Sequence, residues 1–130
     1  AHSRYAYRIA TSDAALGCAP LENLDRYVAD KRETAARYVE FFKGKEDITF
    51  FTEPADCKSN YWLNAVVPTH KEAQLDLFES TTAHGVMTRP VWELMNRLPM
   101  FEHCETDGLE NTEWLADRVV NIPSSVRLEN

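Results

Sequence analysis

The stretch VMTRPVWELMNRLPMFEH, residues 86–103, gathers side chains able to bind a small molecule. Arg89 stands directly before Pro90, and the residue before a proline is held out of helical geometry, in extended backbone. A guanidinium on such a base is a planar, permanently charged fork suited to a carboxylate or a phosphate. Spacing alone leaves a second outcome open, an Arg89 salt-bridged to one of the many surface acids.

Motifs for chemistry are missing elsewhere. GxSxG, the P-loop, GxGxxG and HExxH are all absent. The carboxylates are scattered along helix faces as solvated charges, and His70 and His84 flank a predicted helix at the surface. Cys18, Cys57 and Cys104 are odd in number, and no pair falls at CxxC spacing, which reads as reduced thiols in a cytosolic protein. His103 and Cys104 adjoin, but no second pair of ligands sits at finger-like spacing, so no metal site is expected and Cys104 is expected to be buried. Fourteen basic against 21 acidic side chains leave a net charge of −7. A chain that acidic has no footprint for nucleic acid and no attraction to anionic membrane. No apolar run approaches the roughly 20 residues of a spanning helix. The start, AHSRYAYRIA, lacks both Met and a hydrophobic signal region, and reads as a processed end or an internal cut.

The elements that must position Arg89 follow from periodicity. Leu21, Leu24, Val28, Ala35, Val39 and Phe42 recur at spacings of three, four and seven, predicting a long helix over residues 12–42 that kinks or restarts at Pro20. Gly44 can end it as a left-handed cap. ITFF at 48–51 and YWLNAVV at 61–67 read as strands. Thr69 and Glu72 have capping-box spacing for a helix to about residue 82, with Ala73, Leu77 and Phe78 inward and Gly85 beyond its end. Residues 86–88 can add a third strand. Asp107 and Glu110 repeat the cap spacing before a helix over about 109–117, and RVVNIP is a final extended piece stopped by Pro123. This order predicts an α+β layer: a small, mostly antiparallel sheet covered by helices, with a long N-terminal helix.

The segments DAALGCAPLENLDRYVADKRETAARYVEFF, SNYWLNAVV, HGVMTRPVWELMNRLPMF and RVVNIPSS occur here in that order. Together they resemble the C-terminal portion of the DegT-like nucleotide-sugar aminotransferases, pyridoxal-phosphate enzymes of the aspartate-aminotransferase fold. The RPVW and LPMF variants are most similar to the branch that aminates UDP-linked 4-keto sugars. The resemblance covers residues 7–125 and implies a division of labour. In the family, a large N-terminal domain carries the lysine bonded to the cofactor. None of Lys31, Lys43, Lys45, Lys58 and Lys71 lies in that lysine's Ser-rich, Gly-flanked setting. Residues 1–130 thus look like the single C-terminal small domain, with the large cofactor-binding domain outside this chain and no catalytic residue within it.

The resemblance also carries site residues. The family pattern Asn-Tyr-Arg-Met, whose asparagine reaches the cofactor phosphate of the neighbouring subunit, reads AYRI here. Tyr7 and Arg8 match as cofactor-binding positions, whereas Ala6 removes the amide. Pro20 stands where the family has glutamine. A family histidine near the sugar aligns with Asn96, which hydrogen-bonds but does not titrate. Arg89, Trp92 and Asn96 are the implied substrate-binding residues, on a turn fixed by two prolines and anchored in the core by the methionines and Phe101. Pyridoxal phosphate, glutamate, a nucleotide-sugar, a homodimer and the cytoplasm complete the implied setting. The alternative is a free-standing, non-catalytic binding module of the same ancestry. A partner domain outside the chain would also leave an apolar face exposed, with Tyr27, Tyr38, Phe41 and Phe42 of the first helix as candidates.

Overall fold

A computed structural model describes residues 11–127. Its elements run α1 (Thr11–Leu21), α2 (Leu24–Phe42), β1 (Ile48–Phe50), β2 (Asn64–Pro68), α3 (Glu72–Ala83), β3 (Arg89–Pro90), a 3-10 turn (Met95–Arg97), α4 (Glu110–Ala116) and β4 (Val120–Ile122). The fold is α+β, and its four-stranded sheet, ordered β1-β2-β4-β3, is antiparallel at every pairing. The long N-terminal helix is two helices. Pro20 cannot donate a backbone hydrogen bond; α1 stops one residue later, and the chain turns through Glu22 and Asn23 before α2 begins. Lys43, extended, is the C-cap of α2, and Gly44, at φ 75°, takes the left-handed place in the turn that follows, closed by the Lys45 N–H on the Phe42 carbonyl at 3.1 Å.

The sheet has two unlike faces. Residues directly opposite each other on antiparallel strands share a face, so Phe50, Val66 and Val120 form one row. Ala35, Tyr38 and Phe42 of α2 and Leu77 of α3 pack against that row. The ring of Phe50 lies 5.8 Å from that of Tyr38 and 6.3 Å from that of Phe42. The expected stripe on α2 is correct in part. Ala35 is buried and Val28 and Phe42 are half-buried, whereas Leu21, Leu24 and Val39 are exposed. The inward face instead follows Lys31, Ala35, Tyr38 and Phe42. Lys31 Nζ donates to the carbonyls of Trp62 and Ser124, and the Tyr38 hydroxyl donates to the Pro123 carbonyl. A polar side chain with a fixed partner can face the core, and a count of apolar letters does not register it.

Three local expectations are corrected. Neither capping box forms. Thr69 is held in the sheet, its N–H donating to the Asp47 carbonyl and its hydroxyl to that of Glu46, so α3 starts at Glu72 uncapped. Asp107 is separated from α4 by Gly108 at φ 71°, and Leu109 takes the N-cap position. The third strand falls on Arg89 and Pro90 instead of residues 86–88, which close the end of α3. Val86 N–H donates to the Thr81 carbonyl at 2.8 Å, and the Thr81 and Thr88 hydroxyls lie 2.6 Å apart. Pro90 is tolerated because β3 is an edge strand. Val91 N–H donates to Val119, while the nitrogen of Pro90 faces away from β4.

A charged cluster holds the β1–β2 connection. Glu53 accepts both arms of the Arg32 guanidinium, at 2.7 and 3.0 Å, and the Ser59 N–H at 2.5 Å. The Tyr61 hydroxyl accepts the Glu53 N–H at 3.2 Å, with Tyr61 itself buried at φ 47°. The hydrogen bonds from Arg32, then that from Ser59, hold the Glu53 carboxyl at a pKa of about 2, against an ordinary 4.5. A carboxylate depressed in this way stabilises the fold above its ordinary pKa and loses that contribution as pH falls through the native value. Glu53→Gln is therefore expected to melt below the parent at neutral pH. The gap should close as pH drops from 4.5 toward about 2. A gap that does not change with pH would assign the loss to packing instead of charge.

Candidate functional site at the β3 edge

The register builds the site. Arg89 lies opposite Asn121, and Asn121 lies opposite Ala65. Phe51, one residue past the end of β1, extends the row with its N–H donating to the Ala65 carbonyl at 2.9 Å. Alternation along β2 and β4 turns this row away from α2 and α3. On that second face α4 reaches the far end, where Trp114 and Leu115 meet Thr49, Val67 and Thr69 around a cavity of about 460 Å³. Nearer β3, Arg89 is exposed and Asn121 half-buried; Ala65 on β2 is half-buried, and Phe51, past the end of β1 at the opposite edge, is exposed beside that cavity.

Arg89 makes no ion pair among the described residues; its Nη2 lies 3.9 Å from the Met87 sulfur. Arg97, in the same segment, reaches Glu93 at 3.5 Å, Asp117 at 3.8 Å and Glu113 at 4.0 Å. The surface-acid outcome therefore belongs to Arg97, and Arg89 keeps its guanidinium free of acidic partners among those residues.

The other predicted site residues are not gathered around it. Trp92 is 81% exposed. Asn96, on the 3-10 turn, is half-buried in the wall of an apolar cavity of about 400 Å³ with Leu94, Phe101, Cys104 and Leu109; neither Arg89 nor Trp92 lines it. Two expectations fail here. Met87, Met95 and Met100 are exposed and do not anchor the turn in the core, and Cys104 is exposed as well. Phe101 is half-buried, its N–H donating to the Leu98 carbonyl at 2.8 Å. The physical reason is position. The segment leaves the sheet beyond its edge strand, where Leu109 and Thr112 offer only a small facing surface that half-buries Leu94 and Phe101 and leaves the methionines largely in solvent. Tyr7 and Arg8 lie outside the described residues.

Three of the lysines hold the fold. Lys31 ties α2 to the β4 end, Lys71 pairs with Asp117 at 2.6 Å, and Lys45 sits 4.7 Å over the Phe41 ring. No lysine lines either cavity. The described residues bring together no group of three His, Cys, Asp or Glu able to hold a metal ion. No helix among them is long and apolar enough to cross a membrane.

The sequence profile of the DegT/DnrJ/EryC1/StrS aminotransferase family matches residues 2–130. The chain belongs to that family. It is 27% identical over 128 residues to the GDP-perosamine synthase of Escherichia coli O157:H7, covering 97% of this chain and 34% of that protein. It is also 27% identical over 122 residues to EpsN of Bacillus subtilis (strain 168), a provisionally assigned pyridoxal phosphate-dependent aminotransferase, covering 91% of this chain and 31% of that one. The aminotransferase TlmJ from Streptoalloteichus hindustanus shares the fold, with a TM-score of 0.81 at 20% identity over 91% of this chain and 32% of that one. The chain spans about a third of the length of the relatives it matches. In this family member, Asn121 beside Arg89 and the Glu53–Arg32–Tyr61 cluster are juxtapositions absent from the sequence expectations. The lone polar letter in VVNI was the available signal for Asn121. None marked Glu53, whose partner is 21 residues away in sequence.

Proposed function

We propose that this chain is the C-terminal small domain of a pyridoxal-phosphate-dependent aminotransferase that moves an amino group from glutamate to a nucleotide-linked keto sugar. Family membership across residues 2–130 carries the reading. The similarity to a GDP-perosamine synthase supports a nucleotide-linked sugar as the acceptor, and the share of its relatives that the chain spans supports the assignment to one domain. In this reading Arg89 holds an anionic group of the substrate, while Trp92 and Asn96 form the cleft wall. Tyr7 and Arg8 are its cofactor-binding residues. The exposed apolar side chains of Met87, Trp92 and Met100 meet the remaining two-thirds of the enzyme or its dimer partner. The cofactor is the electron sink of the transfer and belongs to that remaining part. No proton transfer falls to a residue of this chain.

Two measurements test this. The full-length protein, given glutamate and a panel of nucleotide-linked keto sugars, should yield an amino sugar detectable by mass spectrometry; no product with any acceptor overturns the reading. This chain alone, mixed with pyridoxal phosphate and reduced with borohydride, should carry no stoichiometric adduct on Lys31, Lys43, Lys45, Lys58 or Lys71. Finding one, with turnover, would overturn the assignment to a non-catalytic domain.

A further inference from the structure

We propose that Asn121 is a specificity-determining residue, forming with Arg89 a two-residue clamp for an oxyanion on the open face of the sheet. The inference rests on the substrate-binding role proposed for Arg89. The two residues are cross-strand partners on β3 and β4. The bond from Val91 to Val119, two residues further along, makes theirs a hydrogen-bonded pair. Such partners have Cα atoms about 5.5 Å apart, with side chains alongside each other on one face. Next in the row is Ala65, the smallest side chain in it.

Charge and chemistry name the occupant. The chain carries a net charge of −7, yet this guanidinium has no acid beside it among the described residues. An unneutralised fork in an acidic chain is complementary to an anion that arrives from outside. Arg89 can donate but not accept, whereas the Asn121 amide does both. The pair therefore suits an oxyanion flanked by a hydroxyl or amine. A carboxylate of the amino donor and the diphosphate of a nucleotide share that chemistry.

Asn121→Asp keeps the side-chain shape and sets a carboxylate beside Arg89, where it occupies the guanidinium. The experiment titrates the full-length holoenzyme with inorganic pyrophosphate and, separately, with glutarate, in the parent, Asn121→Asp and Arg89→Ala. The parent should bind one of the two anions. Pyrophosphate binding assigns the clamp to the nucleotide, glutarate binding to the amino donor. Asn121→Asp should bind that anion about tenfold more weakly or worse, melt at or above the parent temperature, and raise KM for the matching substrate more than it lowers kcat. If Arg89→Ala weakens anion binding and Asn121→Asp does not, Arg89 acts alone; the clamp is overturned and the cleft reading stands. If the parent binds neither anion, or neither variant alters binding, both are overturned. An Asn121→Asp protein that melts several degrees lower would make Asn121 a structural residue of β4, which also overturns the clamp.

Discussion

Arg89→Ala in the full-length enzyme is expected to lower kcat/KM by roughly 2–4 kcal/mol, or about 30- to 900-fold, the scale for losing one desolvated charged contact. Pro90 and the β4 ladder hold the Arg89 backbone extended, so little freedom remains to be lost when the side chain binds. Arg89→Lys keeps the charge, loses the fork and should recover part of the activity. Folding should hardly change, because Arg89 is exposed and has no ion pair among the described residues. Steady-state kinetics with both substrates varied, beside a thermal melt, decide the matter. A variant that melts several degrees lower yet turns over like the parent would make Arg89 a structural residue and remove it from the site.

Phe50→Ala should be the most damaging single change to the fold, costing about 3–5 kcal/mol. Phe50 is 6% exposed, with the rings of Tyr38, Phe42 and Tyr61 within 6.4 Å, so truncation empties the centre of the α2–sheet contact. In a chain of this size the melting midpoint should fall by roughly 10 °C or more. Its neighbour is the control. Phe51 is 57% exposed on the opposite face, and Phe51→Ala should leave the melt of this chain nearly unchanged. Equal losses for the two would mean that both faces of the sheet are packed, contrary to the open face on which Arg89 lies.

Family motifs spread along the whole chain, TRP, LPMF and NIPSS among them, make the aminotransferase ancestry legible in the amino-acid order itself, since such patterns need no tertiary contacts to be read. The element order is legible for a related reason. Gly44 and Gly85 take positive φ just beyond helices, and the β-branched and aromatic residues at 48–50 and 65–67 favour strands locally, although the second strand starts at Asn64 and not at Tyr61, whose φ is 47°. What depends on distant partners is not legible. Thr69 carries cap chemistry, but an N–H bond to Asp47 keeps it in the sheet. The methionines after Arg89 carry core chemistry, but they lie beyond an edge strand, where the facing residues leave them mostly exposed. The free guanidinium of Arg89 and the paired one of Arg97 are the same residue type in the same segment. The fold places Glu113 and Asp117 near one and Asn121 beside the other. Sequence by itself determined the ancestry, the α+β order and the extended backbone at Arg89, because motifs, turn residues and a proline act locally. Tertiary structure alone decided which face each side chain joins and which charges are neutralised, because register and packing join residues dozens of positions apart.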